Sequence, residues 1–91
     1  MFNLYFEEQA AKRLAKVNDP YHTLIINELD SLRRDYFPRG KNCKRLNTKT
    51  RDVYRLRMEV YRAIYHVNDQ KKQITILRIF HRGEGYDLAG L

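Results

Sequence analysis

The run Val53-Tyr54-Arg55-Leu56-Arg57-Met58, followed after Glu59 by Val60-Tyr61-Arg62-Ala63-Ile64-Tyr65-His66-Val67, decides how this chain folds. In the first run Tyr54, Leu56 and Met58 alternate with Val53, Arg55 and Arg57. A period of two is that of a strand with one buried side, so one face covers a core while the other shows two guanidiniums. In the second run Arg62, Ile64 and His66 share a face. A third strand is predicted over 73–81, after the polar turn Asn68-Asp69-Gln70-Lys71-Lys72.

Toward the N-terminus, Phe2, Leu4 and Phe6 alternate with Asn3 and Tyr5, which predicts a short first strand. From Phe6 the apolar spacing becomes helical: Phe6, Ala10, Leu14 and Val17 form one face, with Lys12, Arg13 and Lys16 on the other. Asn18 and Asp19 end that helix, and Asp19 with Pro20 starts the next. The second helix carries Tyr21, Leu24, Ile25, Leu29, Leu32 and Tyr36 on one stripe and stops before Phe37-Pro38-Arg39-Gly40. Residues 38–50 lack periodicity and are predicted to be a loop. The expected fold is α+β: a small antiparallel-rich sheet packed on an N-terminal helical hairpin, in the order β-α-α-β-β-β, as a single domain over residues 1–91.

The excess charge is concentrated. Residues 39–57 hold Arg39, Lys41, Lys44, Arg45, Lys49, Arg51, Arg55 and Arg57 against Asp52 alone, while acidic and basic side chains cancel elsewhere; the formal net charge is +7. Clustered cations attract a polyanion and release its condensed counterions. The loop group Arg39, Lys41, Lys44, Arg45, Lys49 and Arg51 is therefore predicted to bind nucleic acid, a solvated loop being the alternative.

Ninety-one residues with 43% hydrophobic content form one domain with a modest core. No apolar stretch approaches the roughly 20 residues that cross a bilayer, and Glu7 and Glu8 fall where a signal peptide would be apolar, so a cytoplasmic location without membrane contact is expected. Cys43 is the only cysteine. No disulfide within the chain and no Cys-based metal cluster follow from it. His22, His66 and His81 lack metal-ligand spacing, and neither metal nor cofactor is expected.

Pairing of the strands would bring Arg55, Arg57, Arg62, Arg82 and Tyr86 together. Guanidiniums bind phosphate oxygens bidentately and suit the extra negative charge that develops when a phosphodiester is cleaved. Arginine is a poor general base. Tyr86, whose phenolate would be favoured by neighbouring cations, is the stronger candidate, with His66 and His81 as further acid or base candidates or ordinary strand histidines. Arg55 and Arg57 have a second reading as the solvated face of an edge strand. Tyr54, Tyr61 and Tyr65 read as core or interface aromatics ahead of base-stacking platforms.

The tract from Tyr54 to Val67, with Ile76-Leu77-Arg78-Ile79-Phe80-His81-Arg82 and Tyr86 beyond it, resembles the RelE/ParE superfamily of type II toxins, which typically shows YRLRVGDYRIIYEV followed by VLRVGHR and a nearby tyrosine. Phe6-Glu7-Glu8-Gln9-Ala10-Ala11-Lys12-Arg13-Leu14 is similar to the first helix of that family. The resemblance implies a sheet on a helical hairpin, a toxin monomeric when free, and a cognate antitoxin that covers the basic surface. For the RelE branch it also implies a metal-independent endoribonuclease that cleaves mRNA on the ribosome by 2′-hydroxyl attack and so inhibits translation. Arg55 and Arg57 fall where that branch has basic residues, frequently lysine. Arg62 and Arg82 match phosphate-stabilising arginines, Arg82 also standing where a proton donor to the leaving oxygen would, and Tyr86 matches a C-terminal tyrosine. The ParE branch shares the fold and poisons DNA gyrase; a non-catalytic binding module with the same fold is the third alternative. Where the family has Gly-Asp in the first β turn, this chain has Glu59-Val60. Val is unfavourable at positive φ, so another turn or register is expected there.

Overall fold

The computed structural model describes residues 1–38, 42–85 and 90–91 of the chain. Asn3–Phe6 (β1) leads into helices Glu8–Ala15 (α1) and Tyr21–Ser31 (α2), followed by Cys43–Arg45 (β2), Val53–Met58 (β3), Tyr61–Asn68 (β4) and Gln73–His81 (β5). The strands form one sheet in the order β1-β5-β4-β3-β2. Only the β1–β5 pairing is parallel. The α+β class and the antiparallel-rich sheet are as expected, with one strand more than the sequence indicated. Residues 38–50 are not all loop: Cys43, Lys44 and Arg45 pair with Leu56, Arg55 and Tyr54.

That short strand changes the meaning of the arginines on β3. With β2 on one side and β4 on the other, β3 is internal to the sheet. Arg55 and Arg57 therefore do not protect an edge.

The helices cover one face. Ala10 and Val17 from the α1 region, and Ile25, Leu29 and Leu32 from the α2 region, pack on Tyr54, Leu56, Met58, Ala63, Tyr65, Val67, Ile74, Ile76 and Ile79. Full burial of one such aliphatic side chain contributes about 1.5–3 kcal/mol. Glu8 in the first turn of α1 and Lys12 and Arg13 in its last turn match the helix dipole. Phe6, expected on the buried side of this helix, instead ends β1 and is 37% exposed. Glu7 is still extended and its amide donates to the Ile76 carbonyl, so the helix begins one residue later.

Asp19 does cap α2, one turn in. Its carboxylate accepts from the Thr23 amide at 2.9 Å and the Thr23 hydroxyl at 2.7 Å, which holds its pKa below the ordinary value. The helix ends at Ser31, short of Tyr36. Leu32 nevertheless remains buried, and the Tyr36 ring meets Phe2 and Tyr54 at 5.3 and 6.0 Å.

Two irregularities set the strand phases. Glu59 has φ 58° and Val60 is not in the left-handed region, the pattern of a type II′ turn between β3 and β4. Valine is thereby spared a positive φ. Between β4 and β5 a register shift at Ile64/Tyr65 leaves Leu77 unpaired, a β-bulge. Ile76 and Ile79 both face the helices, while Leu77 and Phe80 face away. Without the extra residue, simple alternation from Ile76 would have turned Phe80 inward.

Tyr54 and Tyr65 are core aromatics, their rings stacked at 5.5 Å. The Tyr65 hydroxyl donates to the Tyr36 carbonyl at 2.6 Å and lies 3.0 Å from the Cys43 sulfur, tying β4 to β2 and to the chain after α2. Burial pushes the pKa of this phenol up, so it stays a donor. Tyr65→Phe is expected to cost about 1–2 kcal/mol by leaving the carbonyl unpaired. For a chain of this size that lowers the melting temperature by about 4–16 °C in a calorimetric scan.

Candidate nucleic-acid interface

The face of the sheet turned away from the helices carries the candidate residues. Register, rather than proximity in sequence, brings them together. Arg57 stands directly opposite Arg62, and Lys44 directly opposite Arg55. Directly opposed side chains on one face have Cβ atoms about 5 Å apart, and like charges so placed are destabilising. The strand register places Lys44, Val53, Arg55, Arg57, Arg62, Ile64, His66, Thr75 and Phe80 on this face, and Glu7, 3.6 Å from Arg78, borders it beside His66, Thr75 and Leu77.

Each cation is held differently. The Arg62 guanidinium bends back to the β3–β4 turn and donates to the Glu59 carbonyl at 2.6 Å and the Tyr61 carbonyl at 2.9 Å. Arg57 is exposed, and its amide bonds to the Asn42 carbonyl at 3.0 Å. Arg55 is half-buried, with its Nε–H buried and without a hydrogen-bond partner. Phe80 faces Arg62 from β5. Two residues on, the Arg82 amide donates to the Val60 carbonyl at 2.7 Å, so the ladder runs one bond past the strand and Arg82 sits at the end of the sheet that holds Arg57 and Arg62. The bulge at Leu77 gives position 82 the phase of Phe80.

The other candidates are dispersed. His66 lies on the same face but four residues along β4 from Arg62, roughly 13 Å away, with Ile64 between. His81 is on the helix side, paired with Tyr61, their rings 5.5 Å apart. Neither histidine is paired with Arg57 or Arg62, and the His66 row lies one same-face step, about 7 Å, from that of Arg55. Arg45 pairs with Tyr54 on the helix side of β2 and bonds Asp52 at 3.3 Å. With Arg51 it lines an open cavity of about 350 Å³ formed by the loop before β3, and Lys49 is exposed on that loop. Among the described residues of the predicted loop group, Lys44 is the one that the strand register places on the face of Arg55 and Arg57. Arg39, Lys41 and Tyr86 lie outside the described residues.

One element had no signal in the sequence. The Glu84 carboxylate receives both terminal nitrogens of Arg13, at 3.0 and 2.7 Å, and also the His81 amide at 2.7 Å. This fork-to-fork contact fastens the segment after β5, which carries Arg82, to α1. The partners are 71 residues apart, so no local pattern could have revealed them.

The fold and this basic face define a small RelE/ParE-type toxin. The chain belongs to the family of the ParE toxin of type II toxin-antitoxin system, parDE, whose model it matches over residues 4–86. Similar solved structures include the archaeal RelE-RelB complex from Pyrococcus horikoshii OT3, with a TM-score of 0.80 and 29% identity over 92% of this chain and 98% of that one. The isolated E. coli RelE toxin has a TM-score of 0.77 and 18% identity over 93% and 88%. The YoeB/ParE toxin from Agrobacterium tumefaciens has a TM-score of 0.73 and 12% identity over 89% and 98%. No curated protein matches the chain in sequence. Among the described residues no helix is long and apolar enough to cross a membrane.

The Arg13 bond, then the His81 amide, lowers the pKa of Glu84 from 4.5 to about 2. A carboxylate depressed on folding stabilises the native state above its unfolded pKa and loses that contribution as pH falls through the folded one. The melting temperature of the native chain should therefore exceed that of Glu84→Gln at neutral pH, and the gap should close between pH 4.5 and about 2. Thermal scans of both proteins across that window measure it.

Proposed function

We propose that this chain is the toxin of a type II pair that cleaves messenger RNA on the ribosome without a metal, and that a cognate antitoxin restrains it. The observation that carries this reading is the register that sets Arg57 opposite Arg62 on the face turned away from the helices. A register that sets two arginines opposite each other gathers positive charge that suits a bound phosphate.

In this reading the two arginines flank the non-bridging oxygens of the scissile phosphate. The ribose 2′-oxygen attacks phosphorus as its proton is taken up, the bond to the 5′-oxygen breaks, and a 2′,3′-cyclic phosphate remains. Charge rises on the phosphoryl oxygens at the pentavalent stage, where fixed cations lower the barrier most. Arg82, at the same end of the sheet, serves the leaving oxygen. Since both histidines lie away from the arginine pairs, Tyr86 is the general base of this proposal. The antitoxin is a partner by analogy with the RelE-RelB complex among the similar structures, and covering the arginine pairs would be its inhibitory act.

The family description favours a second reading, a ParE-like protein that acts on gyrase. Expression in bacteria separates the two. RNA cleavage predicts new mRNA ends within ribosome-bound codons, whereas gyrase poisoning predicts a DNA-damage response with intact mRNA. A non-catalytic module predicts neither effect.

Arg57→Ala is expected to abolish growth arrest and to slow cleavage of ribosome-bound mRNA by about 10²–10³-fold, the cost of removing one charge-stabilising donor. The same change should leave the melting temperature nearly unchanged, since Arg57 is exposed and its side chain fills no part of the core. Loss of stability in step with activity, or retained cleavage, would contradict the assignment.

A further inference from the structure

We infer that Arg13 and Glu84 are positioning residues for the proposed cleavage, which hold Arg82 at the end of the sheet where Arg57 and Arg62 meet. That role rests on the RNA-cleaving reading and makes the reaction rate depend on a contact with α1, a helix on the other side of the sheet. Neither residue contacts the phosphate; both act through Arg82.

Arg82 stands in a segment with almost nothing to pack. Arg82, Gly83, Glu84 and Gly85 are all exposed, and a side chain at Gly85 would meet no atom within 4 Å. Apolar burial therefore contributes little to the placement of this segment, and hydrogen bonds must fix it. One of them belongs to Arg82 itself, from its amide to the Val60 carbonyl at 2.7 Å. The others close a turn around it. The Glu84 amide donates to the His81 carbonyl at 2.9 Å, the Glu84 carboxylate accepts from the His81 amide at 2.7 Å, and the Gly83 amide donates to His81 Nδ1 at 3.1 Å.

Arg13 ties this turn to the core. Its two terminal nitrogens, 3.0 and 2.7 Å from the two carboxylate oxygens, fix the Glu84 side chain both in distance and in plane. Arg13 lies in the last turn of α1, whose Ala10 is fully buried against the sheet. A continuous set of contacts thus runs from the packed helix through Arg13 and Glu84 to the turn that carries Arg82. A group that serves a leaving oxygen loses about 10²-fold in rate when misplaced by roughly 1 Å. Arg57 and Arg62 are held by the strands, so a turn released from α1 would cost rate and spare affinity.

The test is single-turnover cleavage of ribosome-bound mRNA by the full chain, beside its binding to the same ribosomes carrying mRNA with 2′-O-methyl riboses, which cannot be cleaved. Arg13→Ala and Glu84→Ala should each slow cleavage about 10- to 100-fold and keep the dissociation constant within about twofold of the native value. In an Arg82→Ala chain, itself slowed, the same two changes should slow cleavage no further, because the group they position is gone. Tyr65→Phe, a core change expected to lower the melting temperature, controls for stability and should cleave at the native rate well below that temperature. Losses that add to that of Arg82→Ala overturn the positioning role and leave the RNA reading standing. So do native rates in Arg13→Ala and Glu84→Ala, an equal slowing by Tyr65→Phe, or a loss of affinity that accounts for the loss of rate. A native chain that leaves ribosome-bound mRNA intact overturns the RNA reading with it.

Discussion

Pairing of Leu56 with Ala63 and of Met58 with Tyr61 puts the apolar half of two strands under the helices, and everything on the other face follows from it. Because strand side chains alternate, the register that buries Tyr54, Leu56 and Met58 also lines up Arg55 and Arg57 against Ile64 and Arg62. A slip by one residue would drive guanidiniums into the core and expose the tyrosines. The hydrophobic face thus also fixes which charged side chains meet on the other one. The Glu59 turn holds this register at one end, and the Arg62 guanidinium, bonded to the Glu59 and Tyr61 carbonyls, stiffens that turn from the functional side.

The bulge at Leu77 serves the same arrangement from β5. It reverses the phase of that strand, which sends Ile79 to the core and Phe80 to the face of Arg62, and leads the chain out toward Arg82. The Arg13–Glu84 contact then fixes the departing segment to α1. A helix that covers the opposite face of the sheet therefore anchors a segment beside the cations. The remainder of this face is a small apolar cluster, where Leu91 packs on Val53 and Ile64 and its carbonyl accepts from the Thr50 amide at 2.9 Å. Within it Ile64 separates His66 from Arg62 along β4.

What could be read in the sequence was whatever repeats locally. The bounds of β3 and β5, the inward stripe of α2 and the shared face of Arg55, Arg57 and Arg62 all follow from period-two or helical spacing. The misses have physical causes of other kinds. Cys43–Arg45 is too short and polar to alternate, and pairs only because β3 offers its backbone. Phe6 suits a helix face as well as a strand end, and the bond from Glu7 to Ile76 settles it. His81 looked available for proton transfer because the bulge that turns it toward Tyr61 depends on a mismatch between two strands, which neither strand shows alone. The Glu84 clamp likewise exists only once the chain has closed on itself.

The choice of side chains on the two rows constrains how such a face can work. The two rows carry guanidiniums from Arg55, Arg57 and Arg62, and Lys44 is exposed beside them; a guanidinium is a permanent charge near neutrality. Their attraction for a phosphate is therefore nearly independent of pH but falls with salt, since screening acts on exposed charges. Groups of this kind stabilise negative charge without exchanging protons near neutrality. Any reaction on this face that requires proton transfer must draw on a titratable group outside the two rows. His81 lies on the other side of the sheet, and His66 lies four residues along β4 from Arg62. In the proposed reading the sheet would supply fixed positive charge and the segment after β5, which Glu84 anchors to α1, the proton chemistry. In that division, loosening the anchor would impair proton transfer while leaving the affinity of the two rows for phosphate intact.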